Sequence, residues 1–253
     1  MSITRHSIAQ LGEHNMKKFT RSALAAAIVT VGSTGGVAFT STATAELSVN
    51  IGAVSNYYFR GFSETDDGAA IQGGIDYEHE SGFYVGTWLS NVDFGDDTSY
   101  EMDLYLGFAD EFDNGFGYDV GYLYYAYPDA RDDSGSLSAD FGEIYGELSF
   151  DTGPVGLYGG IAHVVTDSSD SALERKDTYY YGGLDIPFMD VYSAGFLVGR
   201  QTFDDTNEND NYTHYTASLT RDAGDWGEFS FNLEYVDESD EDVGAWVGWT
   251  KTF

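Results

Sequence analysis

The feature that most constrains this chain is a two-residue alternation of apolar and polar side chains, repeated in strand-length segments. Met102, Leu104, Leu106 and Phe108 stand against Glu101, Asp103, Tyr105 and Gly107. Phe229, Phe231, Leu233 and Tyr235 stand against Glu228, Ser230, Asn232 and Glu234, and Phe116, Tyr118, Val120, Tyr122 and Tyr124 against Gly117, Asp119 and Gly121. A period of two places one greasy and one polar face on a β-strand, whereas an amphipathic helix needs a period near 3.6. The composition agrees: 31 Gly, 20 Tyr and 17 Phe occur with only 3 Pro, so segments rich in glycine and aromatics run on without a breaker.

Weaker alternation predicts further strands near 47–59, 69–79, 83–92, 141–150, 155–165, 178–187, 191–203, 212–221 and 243–253, for about twelve in all. Their connections fall into two kinds. Segments 80–82, 111–115, 151–154, 188–190 and 222–227 are tight turns, and between them lie 60–68, 94–99, 128–140, 166–177, 204–211 and 238–242, mostly longer and crowded with Asp, Glu, Ser and Asn. Strict alternation of short and long connections is the pattern of an up-and-down antiparallel barrel in an outer membrane, with tight turns on one side and larger loops on the other. Strands of about ten residues suit a tilted crossing.

The N-terminus points to export. Met16, Lys17, Lys18 and Arg21 form a basic start, Ala23 to Val31 an apolar run, and Ala43-Thr44-Ala45 a small-residue cleavage site. The expectation is a signal peptide over 1–45, with translation able to start at Met16, followed by a single barrel domain over 46–253. A transmembrane anchor is disfavoured because Gly32, Ser33, Thr34, Gly35 and Gly36 break the apolar run short of the ~20 residues a spanning helix needs. Absent cysteine excludes a disulfide scaffold and a thiolate metal site.

A secreted antiparallel sandwich would also alternate and also carry acidic loops, and it is the competing fold. Against it, Val243, Ala245, Val247, Trp249 and Phe253 share one parity and stop at the last residue. That ending resembles the terminal signal by which bacterial assembly machinery recognises barrels, with Trp249 and Phe253 as its aromatic members; Lys251 departs from the usual apolar residue there.

The stretch Tyr57-Tyr58-Phe59-Arg60-Gly61-Phe62-Ser63-Glu64-Thr65-Asp66, followed by Ala70 to Tyr77 and Ser81 to Trp88, resembles the opening of the TorF family of porins. The likeness extends more loosely to Tyr181 to Asp185 and Trp249 to Phe253. The resemblance implies a proteobacterial outer-membrane barrel acting as a porin. It supplies neither a substrate nor catalytic residues.

With the apolar parity facing lipid, the opposite parity would place Asp76, Glu78, Glu101, Asp103, Asp119, Glu143, Glu147, Asp185 and Glu234 in the lumen. The whole chain carries 43 Asp and Glu against 11 Lys and Arg, a formal charge of -32. Carboxylates confined in a narrow passage attract cations and repel anions, so cation preference is expected. The alternative is that these acids only solvate a barrel interior. Nucleic acid is excluded as a partner, because phosphate binding needs clustered bases. Arg60, beside Asp66 and Asp67 at the external rim, could anchor an acidic constriction or serve as a plain rim ion pair. Arg175 and Lys176, in a long loop, are expected to be solvated.

No cofactor is expected. The loop acids could gather Ca²⁺ or Mg²⁺ weakly from the medium or from lipopolysaccharide, but none has EF-hand spacing. His79, His163 and His214 lack a nucleophile context such as Gly-x-Ser-x-Gly, so an enzyme is not expected. Two barrel readings remain: a passive porin for ions or small solutes, with loops folded inward to narrow it, or a plugged, non-conducting structural barrel whose loops bind cations, surfaces or other cells. Packed lumen aromatics such as Trp88, Tyr105, Tyr125 and Tyr145 would favour the second.

Overall fold

The computed structural model describes residues 45–131, 135, 138–205, 209–238 and 242–253. The segment read above as a signal peptide lies outside them up to residue 44. Strand β1 (Glu46–Val54) is followed by a miniature hairpin, β2 (Tyr58–Phe59) and β3 (Phe62–Ser63). Next come β4 (Ala70–Glu78), β5 (Phe83–Asn91), β6 (Tyr100–Glu111), β7 (Phe116–Ala126), β8 (Phe141–Asp151) and β9 (Gly156–Asp167). The chain ends with β10 (Thr178–Phe188), β11 (Tyr192–Thr202), β12 (Tyr212–Asp222), β13 (Glu228–Val236) and β14 (Gly244–Thr252).

β1 and β4 to β14 form a closed antiparallel barrel, each strand bonded to its neighbours in sequence order. Closure is made by β1, where Asn50 pairs with Gly74 of β4 on one side and with Thr252 of β14 on the other. Full closure leaves no edge strand with unpaired backbone groups, which an open sandwich could not avoid. Twelve strands and the alternation of short and long connections are as the sequence predicts. The first strand is shorter than expected: it stops at Val54, opposite Ala70, where its ladder partner begins. Beyond that pair β4 offers no partner; the Ser55 N–H still donates to the Val247 carbonyl of β14 at 2.9 Å, and the chain then turns inward.

Burial is inverted relative to a water-soluble protein. Along β6, Leu104, Leu106 and Phe108 are exposed on the outside while Glu101, Asp103 and Tyr105 are buried inside. Among strand residues Leu47 and Leu148 are the most exposed large hydrophobics, at 66% each, whereas Glu143, Gln201 and His214 are at 0%. A large aliphatic or aromatic side chain kept in water forgoes roughly 1.5–3 kcal/mol relative to burial, so a continuous belt of them requires a hydrocarbon surrounding. Near the short-turn end the belt is rimmed by Tyr77, Phe83, Phe116, Phe188 and Phe229, and near the long-loop end by Tyr100, Tyr180 and Tyr235. Aromatic girdles of this kind sit at the two water interfaces of a membrane barrel. Among the described residues no helix is long and apolar enough to cross a membrane.

The abundance of tyrosine and glycine has one packing explanation. Several inward tyrosines lie across a glycine of the adjacent strand: Tyr145 over Gly121, Tyr84 over Gly107, Tyr105 over Gly86, Tyr181 over Gly160, Tyr158 over Gly183 and Tyr179 over Gly199. A Cβ at any of these glycines would collide with the ring. The ring covers the bare backbone while the missing side chain makes room for the ring, so the lumen fills with aromatic surface without widening the barrel.

Candidate functional site

The most constructed part of the interior is the segment joining β1 to β4, which enters the barrel from the long-loop end. Its fold is local. Asn56 Oδ1 accepts from the Ser63 hydroxyl at 2.6 Å, and Asn56 Nδ2 donates to Asp67 Oδ1 at 2.8 Å. The Glu64 N–H donates to the Tyr57 carbonyl at 2.7 Å, closing a loop whose tip is Arg60-Gly61. Both tip residues have positive φ, 48° for Arg60 and 97° for Gly61. The left-handed conformation is natural for Gly61 and strained for Arg60, costing of order 1–3 kcal/mol that the surrounding contacts must offset.

Those contacts reach across the lumen. Tyr57 packs edge-to-face on Trp88 with centroids 5.5 Å apart, and its hydroxyl donates to Glu101 Oε1 at 3.4 Å. Phe59 meets Tyr125 at 5.6 Å, and Phe62 meets Tyr212 at 4.9 Å. A Cβ on Gly61 would come within 2.6 Å of Val236 and 2.8 Å of His214, so the tip lies directly against the far wall. The inserted loop thus touches β5, β6, β7 and β8 on one side and β12 and β13 on the other.

Arg60 is the centre of this plug and is 2% exposed. One guanidinium nitrogen donates to Glu143 Oε2 at 2.7 Å and the other to Gln201 Oε1 at 2.9 Å. Its carbon lies 4.3 Å from the Tyr179 ring centroid and 4.7 Å from that of Phe59. Burial alone would push the guanidinium down, but Glu143 together with Tyr125 and Tyr179 offsets it and holds the group above its ordinary range. Glu64, near the hairpin's exit, has its carboxyl raised by burial and then by repulsion from Glu101.

The wall around the plug is acidic. Glu101, Asp103, Glu143 and Glu234 are buried in its external half, and Asp76, Asp119 and Glu147 are buried nearer the short-turn end. Glu78 and Asp185, inward on the same parity, are only half-buried. Tyr84 donates to Asp119 at 2.6 Å and also meets the Tyr145 hydroxyl, Tyr181 donates to Glu147 at 2.7 Å, and Tyr105 donates to Asp76. Hydroxyls thus answer several carboxylates that have no basic partner. Among the described residues Arg60 is the one Lys or Arg inside the barrel, since Arg200, Arg221 and Lys251 lie on the outward parity.

Asp66 and Asp67 stay at the mouth, exposed, and do not pair with Arg60; Asp67 instead accepts from Asn56. Arg175 and Lys176 are solvated, held by Asp167 and Asp204 at 3.1 Å each. Trp88, Tyr105, Tyr125 and Tyr145 are all buried within the lumen. Trp249 is on the outer face, where its indole donates to the Trp226 carbonyl at 2.8 Å, and Phe253 is 70% exposed beyond the end of β14. His214 faces inward and bonds Tyr179 at 2.7 Å, His163 faces out beside Thr178, and His79 sits in a turn, so the three histidines form no common site. Among the described residues no group of His, Asp and Glu is arranged to hold a metal.

Sequence reasoning did not single out Gln201, Tyr179 or Glu64. Gln201 was within reach, because it shares the parity of Gly199 opposite the outward Val198 and Arg200. Which loop would fold inward, and onto which wall, is a tertiary outcome with no local signal.

A closed, twelve-stranded antiparallel barrel with an apolar belt and a polar interior is the fold of outer-membrane porins. It matches the solved structure of the KdgM porin with a TM-score of 0.58 at 12% identity, covering 81% of this chain and 99% of that one. The same figures hold for that porin in complex with disordered oligogalacturonate. The COG4313 outer membrane channel from Pseudomonas putida F1 matches with a TM-score of 0.51 at 13% identity, over 84% of this chain and 96% of that one. At such identities the likeness is one of fold. The chain belongs to the Gcw_chp family, described as a bacterial protein of unknown function, which matches residues 38–252. No curated protein matches it.

Proposed function

We propose that this protein is a porin-like channel of the Gram-negative outer membrane, for passive diffusion of ions or small solutes, preferring cations and closed in this structure by its own first loop. The observation that carries the reading is the charge of the lumen: Asp76, Glu78, Glu101, Asp103, Asp119, Glu143, Glu147, Asp185 and Glu234 face inward against Arg60 as the one inward Lys or Arg among the described residues. A passage so lined favours cations through focused negative potential, and withdrawal of Arg60 would sharpen that preference. The resemblance of the first hairpins to the TorF family and the porin fold support the same reading, as does an N-terminal segment with signal-peptide features. Trp249 and Phe253 would serve recognition by the barrel assembly machinery, and the acidic external loops would meet lipopolysaccharide through weakly held Ca²⁺ or Mg²⁺. Transport by selective diffusion requires no catalytic group.

A second reading rests on a specific observation. Glu143, Gln201, His214 and Asn232 are completely buried inside the barrel, as in a core and not as in an open pore. A permanently plugged, structural barrel would look the same. Single-channel recording of the refolded mature chain in a planar bilayer under a salt gradient separates the two. Stepwise, cation-selective current is expected; verified insertion without current would leave the structural barrel, and anion selectivity would remove the role given to the inward carboxylates.

A further inference from the structure

The place occupied by the Arg60 head group is walled chiefly by residues that do not belong to the loop. Three of its walls belong to the barrel and not to the loop: the Glu143 carboxylate on β8, the Tyr179 ring on β10 and the Gln201 side-chain carbonyl on β11. A carboxylate, an aromatic face and a neutral acceptor form a set that suits a planar guanidinium, which donates in its plane and stacks on its face.

Arg60 fills this set incompletely. It gives Glu143 one nitrogen, at Oε2, while Glu143 Oε1 is buried with no hydrogen-bond partner, and Arg60 Nε is buried without one as well. A carboxylate facing a guanidinium ordinarily takes two parallel N–H bonds. The tether explains the shortfall: the side chain descends from a backbone held at φ 48°, and its fork is divided between Glu143 and Gln201. Asp103, 2% exposed, also has an oxygen without a partner, so the wall beside the site keeps acceptor capacity that one cation does not use.

We infer that Arg60 is a tethered occupant of a lumenal site for guanidinium-bearing organic cations, and that such solutes compete with the loop for Glu143, Gln201 and Tyr179. The inference rests on the channel reading for its physiological meaning but not for its chemistry. A free guanidinium can approach Glu143 with both nitrogens, whereas a neutral analogue of the same shape lacks the charge that the buried carboxylate demands.

The test is calorimetric titration of methylguanidinium, with methylurea as its neutral isostere, into the detergent-solubilised, refolded chain. In Arg60→Ala and Arg60→Gln barrels methylguanidinium should bind at least tenfold more tightly than in the wild type and at least tenfold more tightly than methylurea. Adding Glu143→Gln to either should abolish the difference. Equal binding of the two probes in both Arg60 variants would overturn the inference. If the variants refold poorly, the thermal midpoint of whatever folded fraction forms gives a second readout: it should rise with methylguanidinium and not with methylurea, and equal responses would again overturn it. Current recorded in parallel keeps the two readings apart, since a barrel that binds the probe but carries no current loses the channel and keeps the site, and a barrel that conducts without binding does the reverse.

Discussion

The two halves of the lumen are closed by different means. In the external half the inserted loop supplies the filling: Arg60, Tyr57, Phe59 and Gly61 press against a wall whose residues, Glu143, Gln201 and His214, are entirely hidden. In the half near the short turns no loop enters among the described residues, and the barrel narrows itself with tyrosines laid over glycines and tied to Asp76, Asp119 and Glu147. This second filling is one-sided. Tyr84, Tyr105 and Tyr145 crowd β5 to β8, while Ser193, Thr216, Ser218 and Thr220 of β11 and β12 keep partial exposure. The first filling is carried on a connection between strands, the second on the barrel strands themselves. On the channel reading proposed above, the first would be a movable gate and the second a fixed throat.

Several substitutions would break or sharpen that division. The largest effect is expected for Arg60→Ala, which leaves Glu143 buried without its counter-charge. Breaking a buried pair in this way costs about 3–5 kcal/mol, which at ~1.4 kcal/mol per tenfold would shift the ratio of docked to released loop toward release by roughly two to three and a half powers of ten. Single-channel open probability measures it; an unchanged value would mean that the loop does not close the path.

A smaller effect, on stability instead of gating, is expected from Gly121→Ala. The new Cβ would meet the Tyr145 hydroxyl at 2.5 Å, with the Leu106 carbonyl at 2.7 Å leaving it no room to move aside. Overpacking of this kind costs about 1–3 kcal/mol, to be read as a lower urea midpoint of the refolded barrel. Unchanged stability would show that the tyrosine layer is loose and that the throat is not fixed.

The smallest expected effect is a pH dependence through Glu64. Burial and Glu101 raise its carboxyl in the docked state, so docking takes up protons. Its penalty is absent below the ordinary Glu value of ~4.3 and grows as pH rises toward the raised value, so the docked loop is favoured by acid and loosened by base. Open probability should increase with pH over that window, and Glu64→Gln should reduce the slope.

The sequence reveals the barrel well and the gate poorly, for a physical reason. Strand existence and facing are local properties: Leu104 and Asp103 declare their sides by parity, and the inward position of all nine acids from Asp76 to Glu234 follows from that rule. The Tyr-over-Gly layer was present only as a composition, because it depends on which tyrosine of one strand meets which glycine of the next. The loop is harder still. Alternation through Tyr57 and Phe59 reads as a continuation of β1, yet β4 begins at Ala70 and offers nothing to pair with beyond Val54. Arg60 stood out as a rare base, but its partner Glu143 is 83 residues away, whereas Asp66 and Asp67 were the near choices in sequence.

The most direct test of the gate is to pin it. Phe62 and Tyr212 meet edge-to-face with centroids 4.9 Å apart, one on the loop and one on the wall, and the chain has no cysteine of its own. A Phe62→Cys, Tyr212→Cys barrel joined by a short reductant-cleavable crosslinker should carry almost no current in a planar bilayer and recover stepwise, cation-selective openings when reductant is added. Equal current before and after cleavage would contradict the account, because ions would then be passing a lumen whose loop cannot leave.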